Sequence, residues 1–213
     1  MTNQNNLHQD LPVLTQGAPL DQAKAAMIML HGRGGSAEDI LGLVQEFDQP
    51  GFVYLAPQAA NHTWYPNRFI APIASNEPWF SSAIATVANL LARINTAGIA
   101  AEKTLLLGFS QGACLALEFA ARHPQRYGGV IGLSGALIEN GDKPRIYEGS
   151  LVNTPIFLGC SDVDFHIPKQ RVEQSAVILQ KLGAAVTMRL YPGMEHTVSR
   201  DEIDFIKEMM RGL

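Results

Sequence analysis

Leu105-Leu106-Leu107 runs directly into Gly108-Phe109-Ser110-Gln111-Gly112, and an almost wholly apolar stretch from Ala113 to Ala121 follows. Three consecutive leucines suit a strand buried on both faces, as strands are in a parallel sheet. The apolar stretch after them suits a buried helix. A chain that passes from one to the other without spare residues must turn sharply. The G-x-S-x-G frame fits that turn, because side chains at the two glycine positions would collide with the neighbouring strand and helix. Ser110 is then expected to sit in a strained backbone with its hydroxyl exposed. The pentapeptide alone is common, and its place between a strand and a helix is what makes it informative.

The rest of the chain repeats the alternation. Residues 1–10 are polar and read as a frayed terminus. Leu11–Leu14 reads as a short edge strand before a turn near Gly17-Ala18-Pro19. Ala25–Leu30 is a continuous apolar run that ends in His31-Gly32-Arg33-Gly34-Gly35, and a helix is expected from about Ala37, with Ser36 as N-cap and Asp39 at the capping-box distance. Further strands are expected at Phe52–Ala56, Val130–Leu133, Pro155–Gly159 and Val186–Tyr191. Helices are expected over Ile84–Ile94, Pro168–Leu182 and Asp201–Met210, with Ile203, Ile206 and Met210 on one face of the last. Residues 139–153 read as a polar loop, and Ser134, which lacks the pentapeptide frame, as structural. This alternation predicts a single α/β domain over residues 1–213: a mostly parallel sheet with helices on both faces.

One segment departs from the pattern. From Asn61 to Ser82, Pro66, Pro72 and Pro78 break any long helix, and Trp64, Tyr65, Phe69, Trp79 and Phe80 crowd into it. Aromatic rings left facing water would be costly, so they form either a satellite core or the lining of an apolar substrate pocket. Both readings stand, and all five are taken as candidate substrate-binding residues.

Composition removes other classes of function. The formal net charge is −4 and no basic run occurs, so nucleic acid is not an expected partner. No apolar run reaches the length of a membrane span. The N-terminus lacks a basic-then-apolar leader, and the two cysteines, Cys114 and Cys160, make no disulfide framework, so a cytoplasmic location is the default expectation. Cys114, in the helix behind Ser110, is expected to be a buried thiol. The glycine loop at 31–35 matches neither G-x-G-x-x-G nor the P-loop pattern, which argues against a nucleotide. A loop of this kind after a strand can instead present a backbone N–H to an oxyanion.

A serine hydroxyl needs a base, and the base needs an orienting acid. In hydrolases built on such a sheet the chain order is serine, acid, histidine, each beyond the C-terminal end of a strand. Ser110, then Asp162 or Asp164, then His196 satisfy that order. Of the other histidines, His8 lies in the terminus, His31 is expected to brace the glycine loop, His62 falls in the irregular segment, His123 precedes a helix-ending proline and His166 lies in the acid loop. Counting from the strand favours Asp162, through Gly159-Cys160-Ser161-Asp162. Counting back from the helix favours Asp164, through Asp164-Phe165-His166-Ile167-Pro168, and fixes more positions. Asp164 is the preferred acid and Asp162 the alternative.

Together, His31-Gly32-Arg33-Gly34, Gly108-Phe109-Ser110-Gln111-Gly112-Ala113, Asp164-x-x-Ile-Pro and Gly193-Met194-Glu195-His196 resemble the phospholipase/carboxylesterase family from about residue 25 to the C-terminus. These are small α/β-hydrolases that include the acyl-protein thioesterases. The resemblance implies a carboxylic ester or thioester substrate, no cofactor and no metal. It makes Ser110 the nucleophile, His196 the base and then acid, Asp164 the orienter, and the backbone N–H groups of Arg33 and Gln111 the oxyanion hole. The chain departs from better-known members at Arg33-Gly34-Gly35, where they carry Gly-x-Gly-Asp, and at Glu195, where glycine is frequent. The expected activity is a serine esterase for short to medium acyl esters, with lysophospholipids as further candidates. A thioesterase and a hydrolase fold that binds without catalysis are the alternatives. Chain-length preference and oligomeric state are not legible.

Overall fold

The computed structural model describes residues 6–47, 49–139 and 146–213. Seven strands form one sheet in the order β1-β3-β2-β4-β5-β6-β7. They are β1 (Val13–Gly17), β2 (Ala25–Leu30), β3 (Phe52–Pro57), β4 (Thr104–Phe109), β5 (Gly129–Leu133), β6 (Pro155–Ser161) and β7 (Ala185–Tyr191). Only β1 runs antiparallel to its neighbour, and every other pairing is parallel.

The apolar runs explain the layering. Successive side chains on a strand face opposite ways, so the unbroken run of β2 feeds two cores. Ala26, Ile28 and Leu30 pack beneath helices α3 (Trp79–Thr96), α4 (Gln111–Arg122) and α5 (Lys169–Lys181). Ala25, Met27 and Met29 pack on the other face with α1 (Ala37–Leu41), α2 (Val44–Phe47) and α6 (Arg200–Arg211). The outer strand β7 is only partly covered, and its sequence alternates accordingly.

Several expected boundaries move. The edge strand begins at Val13 rather than Leu11, and continues through Gly17 to pair fully with β3. Helix α3 begins at Trp79, so the irregular segment ends before Trp79 and Phe80, which lie in the first helical turn. Strand β6 continues through Cys160 and Ser161, so the acid loop starts two residues later than the sequence pattern placed it. Most of the expected polar loop is described, but its residues 140–145, like residues 1–5 of the terminus, lie outside the described residues.

Residues 6–10 correct the expectation of a frayed terminus. His8 is buried; Ala60 N–H donates to its Nδ1 (3.0 Å), and its Nε2 lies 3.0 Å from Trp64 O. Its backbone N–H donates to Ser82 Oγ (3.1 Å). The ring packs against Trp64 and Trp79 at centroid distances of 5.4 and 5.5 Å. Burial lowers the pKa of His8. The neutral ring donates from one nitrogen and accepts at the other, which satisfies both inside the core.

Candidate active site

The loops after β2, β4, β6 and β7 all leave the same edge of the sheet. The chain steps from β2 outward to β3 and then back across to β4, so β2 and β4 flank the point where the strand order reverses, the usual place for a ligand on an open α/β sheet.

Ser110 links β4 to α4 with φ 54° and ψ −116°, a strained conformation for a residue with a side chain. The glycines around it have a steric reason. A Cβ on Gly108 would lie 2.1 Å from Gly112 O, and one on Gly112 would lie 2.1 Å from Leu30 O. Only bare backbone lets the helix close on its own strand and on the end of β2.

His196 and Asp164 come to Ser110 from β7 and β6. His196 Nε2 lies 2.9 Å from Ser110 Oγ, and its Nδ1 lies 2.6 Å from Asp164 Oδ2. Asp164 Oδ1 accepts the N–H groups of His166 (2.8 Å) and Ile167 (3.0 Å). Burial acts to raise the pKa of this carboxyl. The hydrogen bonds from His196, Ile167 and His166 outweigh it and hold the pKa below its ordinary value. Asp162 points elsewhere: its Oδ1 accepts from Gly193 N–H at 2.8 Å, which shapes the turn that carries His196. The ring of Phe109 packs on His196 at 5.1 Å.

The glycine loop is held from several sides. Ser36 and Asp39 form the expected capping box at the start of α1. His31 Nδ1 lies 2.7 Å from Gly32 O, while its Nε2 accepts from Ala59 N–H at 3.1 Å, the bracing expected of it. His62 adds a clamp the sequence did not reveal: Gly34 N–H donates to His62 O (2.7 Å), and His62 Nδ1 lies 2.8 Å from Gly35 O. The loop abuts the serine closely enough that a Cβ on Gly32 would sit 3.4 Å from Ser110 Cβ. Among the described residues, neither the Arg33 N–H nor the Gln111 N–H has an acceptor, so both are free to donate to a ligand oxygen.

The side chains of the same two residues do something else. Gln111 Oε1 accepts from Trp64 N–H (2.9 Å) and Thr63 Oγ1 (3.2 Å), and its Nε2 donates to Tyr65 O (2.8 Å). Arg33 donates to Pro66 O (2.8 Å), Tyr65 O (2.9 Å) and Asn67 O (2.7 Å). Together they fasten residues 63–67 over the serine. Contacts between residues more than thirty positions apart leave no periodic trace in a sequence, so this role was not visible there.

A cavity of about 480 Å³ opens at Ser110 and His196. Of the five aromatics expected to line it, Tyr65 and Phe69 do. Trp64, Trp79 and Phe80 do not, which corrects that expectation. Trp64 is fully buried, with its indole N–H donating to His31 O (2.9 Å). Trp79 packs on His8, and Phe80 lies under the Arg122 guanidinium, 5.0 Å away. Phe80 lines a larger cavity of about 820 Å³ that contains none of Ser110, His196 and Asp164. These three pack away from the Ser110 cavity, whereas Tyr65 and Phe69 border it while also belonging to the buried core. Arg68 and His166, which carried no signal in the sequence, also line the Ser110 cavity.

Comparison with known proteins gives a consistent result. The family model described as Phospholipase/Carboxylesterase matches residues 17–212. The crystal structure of a phospholipase/carboxylesterase from Dyadobacter fermentans is 41% identical and superposes with a TM-score of 0.91 over 96% of this chain and 98% of that one. Esterase PE8 is 25% identical, with a TM-score of 0.77 over 95% of this chain and 98% of its own. An acyl-protein thioesterase 1 from Candida albicans is 30% identical over 88% of this chain and 93% of its own length.

Proposed function

Since this chain belongs to the phospholipase/carboxylesterase family, and is thereby an ester-hydrolysing α/β-hydrolase, we propose that Ser110, His196 and Asp164 form its catalytic triad and act on short to medium acyl esters. The observation that carries the reading is the continuous hydrogen-bonded line from Ser110 Oγ through His196 to Asp164, at 2.9 and 2.6 Å.

In this mechanism His196 Nε2 takes the proton of Ser110 as Oγ attacks the acyl carbonyl carbon. The carbonyl oxygen becomes an oxyanion held by the N–H groups of Arg33 and Gln111. Gln111 opens α4, so its N–H adds the positive end of a helix. The tetrahedral intermediate collapses, the C–O bond to the alcohol breaks, and His196 returns the proton to the leaving oxygen. Water, deprotonated by His196, then attacks the acyl-serine, and Ser110 leaves with the proton restored. Asp164, kept anionic by its hydrogen bonds, fixes the ring with Nδ1–H inward and stabilises the imidazolium formed in each half-reaction. We read the whole chain as one domain. Among its described residues no helix is long and apolar enough to cross a membrane. Its free thiols Cys114 and Cys160 favour a reducing compartment, the cytoplasm.

A second reading replaces the ester oxygen with sulfur, and is favoured by the acyl-protein thioesterases among the relatives. Matched ester and thioester substrates with the same acyl chain separate the two by their kcat/KM values. The test of the triad itself is Ser110→Ala in purified protein, which is expected to lower turnover of p-nitrophenyl butyrate by roughly 10⁴-fold or more. Unchanged turnover would remove the proposal.

A further inference from the structure

The net charge of the chain is −4, yet among the described residues no carboxylate lines the cavity at Ser110. Two arginines, Arg33 and Arg68, line it. These two arginines differ in what occupies them. Arg33 is committed to three backbone carbonyls at 2.7 to 2.9 Å. Arg68 is exposed, and among the described residues the one hydrogen bond of its guanidinium is to the His166 carbonyl at 3.4 Å, the outer limit of such a bond. Its remaining guanidinium donors have no partner among the described residues.

The backbone beneath Arg68 is nevertheless fixed. Asn67 N–H donates to Asn76 Oδ1 (2.8 Å), Asn67 O is held by Arg33, and Phe69 on the other side is buried. An exposed arginine on a convex surface has no role to argue for. One with spare donors, on a pinned segment lining a cavity, is suited to an anion, and the planar guanidinium matches a carboxylate in particular.

We propose that Arg68 is a specificity-determining residue that selects ester substrates carrying a carboxylate close to the scissile bond. The inference rests on the reading of Ser110 as the nucleophile. It concerns which ester is preferred, and the chemistry at Ser110 is the same for charged and neutral substrates.

Two substrate pairs test it and locate the charge. In one the anion is on the leaving group: 4-(butyryloxy)benzoate against its methyl ester. In the other it is on the acyl chain: mono-p-nitrophenyl adipate against p-nitrophenyl hexanoate. The quantity read is the ratio of kcat/KM for the anionic over the neutral member, measured on the same preparation, so that any unfolded fraction cancels. Arg68→Gln is expected to lower this ratio by about tenfold in at least one pair, as loss of a charge-assisted hydrogen bond would. Arg68→Lys, which keeps the charge but not the fork, should keep part of it. Arg93→Gln, an exposed position on α3, makes the same change in net charge and is expected to leave the ratio as it was. An unchanged ratio in both pairs for Arg68→Gln overturns the proposal, as does an equal fall in Arg93→Gln. Failure of the underlying reading would look different: Ser110→Ala would still hydrolyse the neutral esters.

Discussion

Gln111→Ala separates two roles of one residue. The substitution leaves the backbone N–H at position 111 in place and removes only the buried carboxamide. Three hydrogen bonds go with it, but they are not equal. Tyr65 O keeps a donor from Arg33 Nη2 (2.9 Å), so its loss is an ordinary net hydrogen bond of about 1 kcal/mol. Thr63 is only partly buried and can turn its hydroxyl to water. Trp64 N–H has no second acceptor among the described residues and sits in a fully buried residue, so it is orphaned at a cost of about 1–3 kcal/mol. The sum is a loss of roughly 2–4 kcal/mol, read as a lower urea midpoint with an unchanged slope. Turnover of p-nitrophenyl butyrate by the folded fraction should fall far less than in Ser110→Ala, because the N–H proposed to hold the oxyanion remains. Gln111→Glu should be worse than alanine, since it sets a carboxylate oxygen against Tyr65 O. A stability change below about 0.5 kcal/mol would refute the account of residues 63–65. Wild-type stability with turnover as low as that of Ser110→Ala would show that the side chain acts on the substrate instead.

The acid and the thiols give two further expectations. Asp164→Asn should lower kcat by about 10⁴-fold, because an amide cannot hold the ring with Nδ1–H inward, whereas Asp162→Asn should act through the turn at Gly193 and cost much less. The pKa of Asp164 is depressed from its ordinary 3.8, so its carboxylate contributes stability above that value and loses it as the pH falls through the folded-state pKa. The stability gap between wild type and Asp164→Asn, followed by denaturant unfolding, should therefore be widest near neutrality and shrink on acidification; a gap that widened in acid would contradict this. Burial pushes both Cys114 and Cys160 up to about 12. The folded protein should give no reaction with a thiol-specific disulfide reagent at pH 8, and the unfolded protein should titrate as two thiols. Prompt reaction of either in the folded state would contradict the burial.

Much of this protein is legible in its sequence, for reasons of local physics. Apolar runs of strand length between amphipathic helical stretches can be buried on both faces only in a parallel sheet, and the compressed turn at Gly108–Gly112 leaves Ser110 one place to go. Chain order then put His196 on the same sheet edge, and a short spacing narrowed the candidate acid to two aspartates two residues apart. Between those two the sequence could not decide. The two part in the structure because strand β6 runs to Ser161, which sends Asp162 toward Gly193 and Asp164 toward His196.

Tertiary structure alone decided which aromatics face the cavity, that His8 is core rather than fringe, and that Arg33 and Gln111 clamp residues 63–67. Each of these depends on pairs far apart in the chain, where a side chain's partner is set by how layers pack and not by any spacing between neighbours. Periodicity records whether a residue is buried. It does not record against what, and the surroundings of Ser110 are made of such pairings.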